Sequence, residues 1–571
     1  MLNSPILIIG AGPSGLAAAL TLAQNGVPVR IVDKLDAHHT SSRGSGIHPK
    51  TIEIFKFLGV LEDAKKFDTG LAECRAYKYP GGTEVIWRWK VFSQPDEITP
   101  ERPYDLFLLS QYHTEAVLRH ALAKAGVHVE WSTEPLSMEQ DADGVTVTIK
   151  KTDEVGGETI EEARAPYVIG SDGARGMSVL YLFMSMRITR KAIGATFEGQ
   201  TKDEDGQVWA DCVIEGLDSV FWHMWFVPGK CAITARPTIN PHSFHVGIFG
   251  HNFDPKELLS VQNFIEFVRG ETGRMDLVFK EIRMLSYWKP KMRMVNKFSE
   301  GRIFITGDAA HVHSPTGGQG LNTSVQDSFN LAWKLALAYK DLAAPSLLAS
   351  YQAERLPVVA QMLAKTSQLY THITTRNIAS KSKAESGAAP TQWPQSLYML
   401  DINYRWSPAV HDARGTSGNE DEMLARAYEG YPGGDVHAGD RAPSAPGLVD
   451  AAGSETTLFD VFKPWRHTVL VFAPSAGTEE TGLGVRSIVA AALQGTPGGT
   501  VKAVVLGRQA VPKAYEGAEV YHDTTGRASR AYHVDEAVVT AVVVRPDGYV
   551  GAFVYDAEGL QKYFSKVFRS A

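Results

Sequence analysis

The sequence predicts an α/β protein in which two α/β regions flank an antiparallel sheet. Residues 4–33 alternate as a strand, a glycine turn, a helix and a second strand. Residues 208–250 are rich in Trp, Phe and β-branched residues, which is typical of an antiparallel sheet. After a segment dense in Gly, Pro and Asp at 430–446, strand-like and helical runs alternate again. This last stretch, from about residue 439, predicts a separate C-terminal α/β domain.

The composition is that of a globular protein with several domains. The 571 residues are 44% hydrophobic and 21% charged, close to globular averages. The 57 basic and 64 acidic residues give a net charge of −7, which argues against nucleic acid as the main partner. Cys74, Cys212 and Cys231 lack CxxC spacing, so we expect neither a disulfide framework nor a cysteine zinc site. No apolar run reaches the ~18 residues of a membrane span, and we expect a cytoplasmic protein without an integral membrane segment.

The first predicted strand, residues 6–9, leads into the motif Gly10-x-Gly12-x-x-Gly15. Gly10 makes a tight turn, Gly12 lets the backbone approach a pyrophosphate, and Gly15 permits close packing of the helix on the strand. The helix that follows offers unpaired N–H groups and its positive dipole end to phosphates. Asp33 ends the second strand, where its carboxylate can accept hydrogen bonds from a ribose. This Rossmann-type unit predicts a dinucleotide site.

Two later strands also end in a carboxylate. Asp172 closes one apolar run and Asp308 closes another, and each stands beside a glycine. After Asp308, a loop that contains Gly318, Gly320 and Asn322 opens a helix. A strand-end carboxylate can bind the hydroxyls of a polyol chain, while N–H groups at a helix start can face negative charge on an electron-rich ring. Together with the first glycine motif, these elements predict FAD.

The three motifs resemble those of class A flavoprotein monooxygenases, the fold family of p-hydroxybenzoate hydroxylase, and specifically its phenol hydroxylase branch. Supporting matches are Arg43 in Ser-Arg-Gly-Ser-Gly and Gln111 in Ser-Gln-Tyr-His-Thr-Glu. The resemblance covers most of residues 1–410 and extends to the C-terminus through the stretches 439–443 and 545–549.

The resemblance implies an architecture as well as a chemistry. Residues 1–410 are expected to interleave a Rossmann-type FAD-binding domain with an antiparallel-sheet substrate domain, whose parts lie roughly at 70–105 and 195–295. Residues 411–438 are expected to form a linker. Residues 439–571 are expected to form a thioredoxin-like α/β domain. Because no cysteine follows Cys231, that domain should perform no dithiol chemistry and should serve packing or dimerisation, so we expect a homodimer.

The activity that the resemblance implies is hydroxylation of an aromatic, in particular a phenolic, substrate. NADPH reduces the flavin, and O2 converts it to a C4a-hydroperoxide that attacks the activated ring. Related flavoproteins use the same motifs for epoxidation, Baeyer–Villiger-like insertion or decarboxylative hydroxylation, and these reactions remain alternatives. An alternative of another class is a flavin-binding protein without turnover.

By the same resemblance, the cofactor contacts are distributed along the FAD molecule. Asp33 and its neighbour Lys34 belong to the adenosine end, and Asp172 lies beside the FAD and influences nicotinamide use. The remaining contacts reach the pyrophosphate, the ribityl chain and the isoalloxazine ring, and they are Arg43, Gln111, Asp308, Gly318, Gly320 and Asn322. The chain has no second GxGxxG motif, in keeping with a family that binds NADPH without a separate nucleotide domain.

The substrate side is marked less clearly. Phenol hydroxylases carry an Asp near the Arg43 loop that helps to deprotonate the phenol, and Ser45 stands at the corresponding position here. His48 could act as the base instead, because histidine titrates near neutral pH, or it could be a buried structural residue. Tyr77 and His223 are the other candidate catalytic residues. Aromatic side chains that could line the pocket or fill the sheet core are Tyr77, Trp222, His223 and Trp225. His311 and His313 lack a helical carboxylate partner, so we expect no metal.

Residues 176–189 depart most from the family pattern. The stretch 177–186 is uncharged and contains three methionines. As a surface loop it would expose an apolar patch, which soluble monomers generally avoid. It is interpreted as a substrate-side lid, a membrane-touching insertion or, as we favour, an artefact of an unspliced intron. Transcript sequencing is the test.

Overall fold

Strands and helices alternate along the chain in a computed structural model, which describes residues 4–90, 99, 101–173, 188–201, 206–250, 252–289, 291–314, 316–379, 395–415, 418–431, 433–474, 478–508 and 515–569. Residues 174–187 are not among the described residues, and they include most of the divergent segment 176–189 and all of its apolar stretch 177–186, so the three interpretations of that segment stay open. The strands are β1 Ile6–Ile9, β2 Val29–Val32, β3 Gly46–Ile47, β4 Glu73–Tyr77, β5 Val85–Trp89, β6 Phe107–Leu108, β7 Val129–Glu130, β8 Thr133–Gln140, β9 Val145–Thr152, β10 Glu158–Ala165, β11 Val168–Gly170, β12 Phe197–Thr201, β13 Gln207–Glu215, β14 Phe221–Val227, β15 Cys231–Pro237, β16 Ser243–Gly250, β17 Val278–Trp288, β18 Lys291–Val295, β19 Ser299–Glu300, β20 Ile303–Ile305, β21 His311–Val312, β22 His411–Asp412, β23 Pro446–Val449, β24 Glu455–Thr457, β25 His467–Phe472, β26 Val501–Gly507, β27 Glu519–Asp523, β28 Thr540–Val544 and β29 Val550–Val554.

The helices pack between and around these sheets. They are α1 Pro13–Gln24, α2 Pro49–Phe57, α3 Leu61–Lys65, α4 Gln111–Lys124, α5 Ile188–Ala192, α6 Val261–Thr272, α7 Gln319–Tyr339, α8 Ala349–Ala379, α9 Glu420–Ala425, α10 Leu458–Val461, α11 Glu479–Gln494, α12 Arg527–Ala531 and α13 Ala557–Val567. Among the described helices, none combines the length and the hydropathy that crossing a bilayer requires.

The N-terminal sheet has six strands in the order β19-β20-β11-β1-β2-β7, and all its strand pairs are parallel except β19–β20. Strand β1 is fully buried, as its continuous apolar run predicts. Ile9 lies opposite Gly170, and Gly170 lies opposite Ile305, so β1, β11 and β20 end level with one another. The three predicted strand-end motifs therefore meet at one edge of this sheet.

The second large sheet has seven strands in the order β17-β13-β16-β15-β14-β4-β5. Helix α6 covers one face through Phe264 and Val268, which pack with alternate residues of β13 to β16. The opposite face carries Trp222 and Met224, which pack against Tyr398 and its apolar neighbours from the first domain. The antiparallel sheet predicted from residues 208–250 is confirmed, because β13 to β16 form its central strands.

The C-terminal sheet has eight strands in the order β22-β29-β28-β25-β26-β27-β23-β24. The unit β25–α11–β26 is parallel, and the hairpin β28–β29 is followed by α13. Strand β25 pairs antiparallel with β28, which completes a thioredoxin-like arrangement and confirms the fold class predicted for this part. Strand β22 and helix α9 lie within the segment predicted as a linker, and the exact domain bounds remain a prediction.

Candidate active site

The glycine motif between β1 and α1 is a tightly packed turn with one open side. Gly10 has φ of +103°, and a Cβ added there would lie 2.3 Å from the Ser171 carbonyl oxygen. A Cβ on Gly15 would lie 1.9 Å from the Gly10 carbonyl oxygen, so helix and strand approach as the motif predicts. A Cβ on Gly12, the N-cap of α1, would meet no atom within 4 Å. The open side therefore lies at the helix N-terminus, where a pyrophosphate is expected.

The carboxylate of Asp33 supports this turn from the end of β2. Its Oδ2 accepts a hydrogen bond of 2.7 Å from Ala11 N–H, and its Oδ1 accepts one of 2.9 Å from Leu35 N–H. Each carboxylate oxygen can accept a further bond, which leaves capacity for a ribose hydroxyl. Lys34, the next residue, is exposed. Asp33 thus lies beside the glycine motif, in keeping with its predicted role.

Arg43 and Gln111 lie on neighbouring segments. Gln111 N–H donates to the Ser42 carbonyl, 3.1 Å away, and the Gln111 side chain donates to Glu115 Oε1 at 3.0 Å. Arg43 is exposed and has φ of +33°, in the left-handed region that is uncommon for a residue with a side chain. The two predicted contacts are therefore brought together.

The turn after β20 is held by a residue that the sequence analysis missed. Buried Asp327 of α7 accepts hydrogen bonds from Gly307 N–H at 3.2 Å, from His311 at 2.7 Å and from the Arg355 guanidinium at 2.7 Å. Burial opposes ionisation of Asp327, but Arg355 and His311 hold its pKa below the usual range. Asp308, next to Gly307, remains exposed. A lone Asp on the buried face of a predicted helix was the available signal for Asp327. The expectation that His311 lacks a helical carboxylate partner was therefore wrong, because Asp327 of α7 is that partner.

The loop before α7 gathers several predicted residues around His48. The His48 ring nitrogen Nε2 lies 2.8 Å from the Gly317 carbonyl oxygen. The backbone N–H of His48 donates a hydrogen bond of 2.9 Å to Asn322 Oδ1. The Asn322 amide donates to the Gly318 carbonyl at 2.7 Å. His48 is fully buried, and burial lowers its pKa to about 4. A Cβ on Gly320, in the first turn of α7, would lie 2.7 Å from His313 Nε2, so a larger residue there would displace the His313 imidazole.

Asp172 lies at the end of β11, level with the other two motifs. It is half-buried and accepts a hydrogen bond of 3.0 Å from the Thr189 hydroxyl. Thr189 belongs to α5, on the far side of the apolar insertion.

Tyr77 and His223 form a buried hydrogen-bonded pair on the helix-covered face of the seven-stranded sheet. The Tyr77 hydroxyl lies 2.6 Å from His223 Nδ1, and His223 Nε2 lies 2.8 Å from the Asp218 carbonyl. Burial lowers the pKa of His223, so neutral imidazole donates from Nε2 and accepts at Nδ1. Tyr77 and Trp225 stack in the core beneath α6, whereas Trp222 lies on the opposite face. The four aromatic candidates therefore divide between two faces.

The opposite face carries a polar cluster that the sequence analysis also missed. Asp211, His245 and Arg236 lie side by side on β13, β16 and β15, because each pair is in register. Asp211 Oδ1 accepts a hydrogen bond of 2.7 Å from His245, and Arg236 donates to the Ser45 hydroxyl at 2.6 Å. The alternation of Val208, Ala210 and Cys212 with polar or amphipathic residues in β13 was the available signal.

The residues at the sheet edge fit FAD. An open helix N-terminus, an adjacent strand-end carboxylate and a glycine-rich loop lie at the carboxyl ends of parallel strands, where such folds bind dinucleotides. Where the described ranges cover the chain, no cluster of three or more His, Cys, Asp or Glu residues could hold a metal ion.

Two protein families match the chain. The family described as FAD binding domain matches residues 3–366. The family described as phenol hydroxylase, C-terminal dimerisation domain, matches residues 500–571. The resemblance identified from the motifs is therefore confirmed.

Curated relatives and solved structures agree with these families. A flavin-dependent monooxygenase of Mycobacteroides abscessus is 30% identical over 568 residues, which cover 98% of this chain and 99% of the relative. Pentachlorophenol 4-monooxygenase of Sphingobium chlorophenolicum is 27% identical over 558 residues, which cover 96% of this chain and 94% of the relative. The flavin-dependent monooxygenase PieE, solved with FAD and substrate, matches with a TM-score of 0.77 at 24% identity and covers 99% of both chains.

One structural neighbour carries a different reaction in its name. The Diels-Alderase PyrE3, from the biosynthetic pathway of pyrroindomycins, covers the whole of both chains with a TM-score of 0.65 at 22% identity. The fold alone therefore does not decide the reaction, and the assignment rests on the family match and on the full-length relatives. The chain belongs to the FAD-dependent monooxygenases that join this FAD-binding domain to a phenol hydroxylase C-terminal dimerisation domain.

Proposed function

We propose that this protein uses NADPH and O2 to hydroxylate an aromatic substrate, in particular a phenol. The observation that carries the proposal is the meeting of three strand ends, with Gly10, Asp172 and Asp308, at one sheet edge. The names of three relatives support a phenolic substrate, namely pentachlorophenol 4-monooxygenase, 2,4-dichlorophenol 6-monooxygenase and 4-methyl-5-nitrocatechol 5-monooxygenase.

We assign the predicted cofactor contacts as follows. Asp33 holds the adenosine ribose and keeps the glycine turn in place through Ala11 N–H. The N-terminus of α1, open at Gly12, faces the pyrophosphate. The other assigned contacts along the cofactor are Lys34, Arg43, Gln111, Asp172, Asp308, Gly318, Gly320 and Asn322. Bound FAD supplies hydride acceptance and oxygen activation, and this chain orients it and excludes water.

We propose that His48 positions the loop before α7 rather than acting as the base. Its Nε2 lies 2.8 Å from the Gly317 carbonyl oxygen, which only a protonated Nε2 can satisfy, so the lone pair of the neutral ring lies on Nδ1, and that nitrogen is buried. A pKa of about 4 also makes this imidazole a weak proton acceptor near pH 7, because a general base works best with a pKa near the operating pH. Tyr77 and His223 stabilise the sheet beneath α6, because their hydrogen-bonded pair lies on the face away from Tyr398 and the FAD domain.

The test is substrate-stimulated NADPH oxidation by the purified yellow protein. A panel of phenols and phenolic acids should include at least one that accelerates NADPH loss and yields a hydroxylated product by mass spectrometry. A product that has gained a ring oxygen or an epoxide would favour the alternative oxidations. Bound FAD without stimulated NADPH loss across the panel would favour a flavin protein without turnover.

We further propose that the enzyme is a cytoplasmic homodimer. The matched C-terminal family is described as a dimerisation domain, and Cys74, Cys212 and Cys231 are buried free thiols, as in a reducing compartment. Light scattering of the FAD-loaded protein should give about twice the 62.4 kDa of one chain. A monomeric mass at micromolar concentration would contradict the dimer.

A further inference from the structure

The part of the chain that follows α8 packs against the loop before α7. This loop, residues 316–320, contains Gly317 and Gly318, whose φ values of +84° and +63° lie in the left-handed region. Because glycine adopts many backbone conformations, two adjacent glycines form a loop that neighbouring residues must hold in place. We call residues 316–320 the flavin loop, since Gly318 and Gly320 are predicted contacts of the isoalloxazine ring.

Gln319, the first residue of α7, fixes one peptide of the flavin loop. Its side chain is fully buried, and its Nε2 donates hydrogen bonds to the Gly317 carbonyl at 2.9 Å and to the Leu397 carbonyl at 3.0 Å. The Gly317 carbonyl also accepts the bond of 2.8 Å from His48 Nε2, so both of its lone pairs are occupied. In a planar trans peptide, the C=O and the following N–H point in opposite directions. The two bonds to Gly317 therefore set the direction of Gly318 N–H.

Tyr428, between α9 and β23, sets the orientation of the Gln319 amide. Its hydroxyl donates a hydrogen bond of 2.6 Å to Gln319 Oε1. Tyr428 is fully buried, and burial raises its pKa, so the hydroxyl stays protonated near pH 7 and remains a donor. Turning the amide over would place Oε1 against two carbonyl oxygens and would leave the hydroxyl without an acceptor. A single orientation of the amide therefore satisfies all of these groups.

The backbone of Tyr428 is anchored to helix α8. Its N–H donates a hydrogen bond of 2.9 Å to Gln361 Oε1, and the Gln361 amide donates in turn to the Leu424 carbonyl. Tyr428 lies within residues 411–438, which the sequence predicts to be a linker, and its partner Gln319 is 109 positions away. This segment thus supplies a fixed hydrogen-bond donor to the flavin loop.

We propose that Tyr428 is a positioning residue for the flavin: through Gln319 it holds the Gly317 peptide so that Gly318 N–H faces the isoalloxazine ring. The inference rests on the proposed function, because it uses the assignment of Gly318 to that ring, and it deepens the function by adding a residue that no sequence motif marks. A fixed N–H that faces a ring where negative charge develops stabilises the reduced ring more than the oxidised one. Tyr428 should therefore raise the reduction potential of bound FAD.

The experiment measures the two-electron midpoint potential of FAD on the full-length, FAD-loaded protein without substrate. Tyr428→Phe should weaken the binding of reduced FAD about three- to tenfold relative to oxidised FAD, which lowers the potential by about 15–30 mV. Gln319→Met, which removes the amide, should lower the potential by at least as much. Tyr431→Phe is the matched control and should keep the wild-type potential, because among the described residues the buried Tyr431 hydroxyl has no hydrogen-bond partner.

Combining the two substitutions tests the route through Gln319. In the Gln319→Met background, Tyr428→Phe should have no further effect on the potential, so additive shifts would contradict this route. An unchanged potential in the single Tyr428→Phe variant would overturn the proposal, even if both redox forms of FAD bound more weakly, since an equal loss indicates packing alone. If Gln319→Met does not fold, the comparison of Tyr428→Phe with Tyr431→Phe decides.

The same measurements separate this inference from the proposed function. A lowered potential in Tyr428→Phe, in a protein whose NADPH oxidation no phenol stimulates, would contradict the hydroxylase and leave the role of Tyr428 standing. Hydroxylation by the wild type together with an unchanged potential in Tyr428→Phe would overturn only the positioning role.

Discussion

Asp308 and Asp327 perform different tasks at the end of the same strand. Asp327 is buried and holds the turn through Gly307 N–H, while the Asp308 side chain stays exposed on that turn. Gly307 must be glycine, because a Cβ there would lie 2.8 Å from Ser324 Oγ and its φ is +59°. The sequence predicted the outward carboxylate from the Gly-Asp motif, but the inward one depends on α7 crossing behind the turn.

Replacing Asp308 should weaken FAD binding without unfolding the protein. Asp308→Ala removes a charge-assisted hydrogen bond to the cofactor, worth about 1.5–3 kcal/mol, or roughly ten- to hundredfold in the dissociation constant. Fluorescence titration of the apoprotein with FAD measures this change. Asp143→Ala, an exposed acid on a distant hairpin, should bind FAD normally. An Asp308 variant that keeps stoichiometric FAD through dialysis would refute the assigned contact.

His48 should make the enzyme sensitive to acid. Burial lowers its pKa from 6.5 to about 4, so between these values the unfolded chain binds more protons than the folded one. The stability that depends on neutral His48 is therefore fully present above pH 6.5 and is lost as the pH falls towards 4. From pH 7 to 5 the loss due to His48 should be about 2 kcal/mol, and His48→Gln should remove that part of the pH dependence. Urea unfolding at both pH values measures it; an unaltered difference in the variant would contradict the assignment.

At the scale of elements, the glycine motif that joins β1 to α1 contains one residue needed for packing, Gly15, and one predicted to be needed only for cofactor binding, Gly12. A Cβ on Gly15 would collide with the Gly10 carbonyl, whereas a Cβ on Gly12 would point into open space. Gly12 also has φ of −75°, which any residue adopts. Two similar substitutions should therefore have different consequences.

Gly15→Ala should destabilise the apoprotein by at least about 1–3 kcal/mol, because the helix must move away from the strand. Gly12→Ala should leave the stability of the apoprotein unchanged and should weaken FAD binding by roughly tenfold or more, because the methyl group occupies the pyrophosphate approach. Thermal unfolding of the apoprotein and FAD titration measure the two effects. Equal loss of apoprotein stability in both variants would show that Gly12 is also a packing residue.

The alternation of side chains along a strand divides the candidate substrate residues between the two faces of the sheet. Side chains along a strand alternate between faces, so His223 and Trp222 cannot serve the same pocket. The sequence shows the alternation in β14 but not which face α6 covers. That choice depends on α6, which lies more than 30 residues further along the chain. Arg236 and Asp211 were missed for the same reason.

At the scale of the whole molecule, buried ions join the C-terminal domain to the FAD domain. Arg545 pairs with Glu354 of α8 at 2.8 Å and with Asp547 at 2.5 Å, and Lys334 of α7 pairs with Glu354 at 2.8 Å. All four side chains are at most 2% exposed. The C-terminal domain therefore contributes to the packing of the helices behind the flavin turn.

Arg545→Met should lower the free energy of unfolding by about 3–5 kcal/mol, because it leaves two carboxylates buried with a single lysine. Because α7 also carries Asp327, the same variant should retain less FAD after purification. Denaturant titration of the full-length protein and its flavin absorbance report both effects. Lys562→Met, which breaks the exposed pair with Glu558, should behave like the wild type. An Arg545 variant that is as stable as the wild type and keeps one bound FAD per chain would indicate that the two domains fold independently.

The sequence by itself determined the glycine turn, the strand-end acids, the cofactor class and the absence of cysteines beyond residue 231. Turn geometry and strand termini follow from local rules, since adjacent residues decide them, and the cysteine positions are read directly from the sequence. Tertiary structure decided that His48 is buried against Gly317, that Tyr77 and His223 face α6, and that Arg236 meets Ser45 across 191 residues. Those contacts join residues far apart in the chain, and burial and hydrogen-bond partners are set by which face of a sheet each distant element covers.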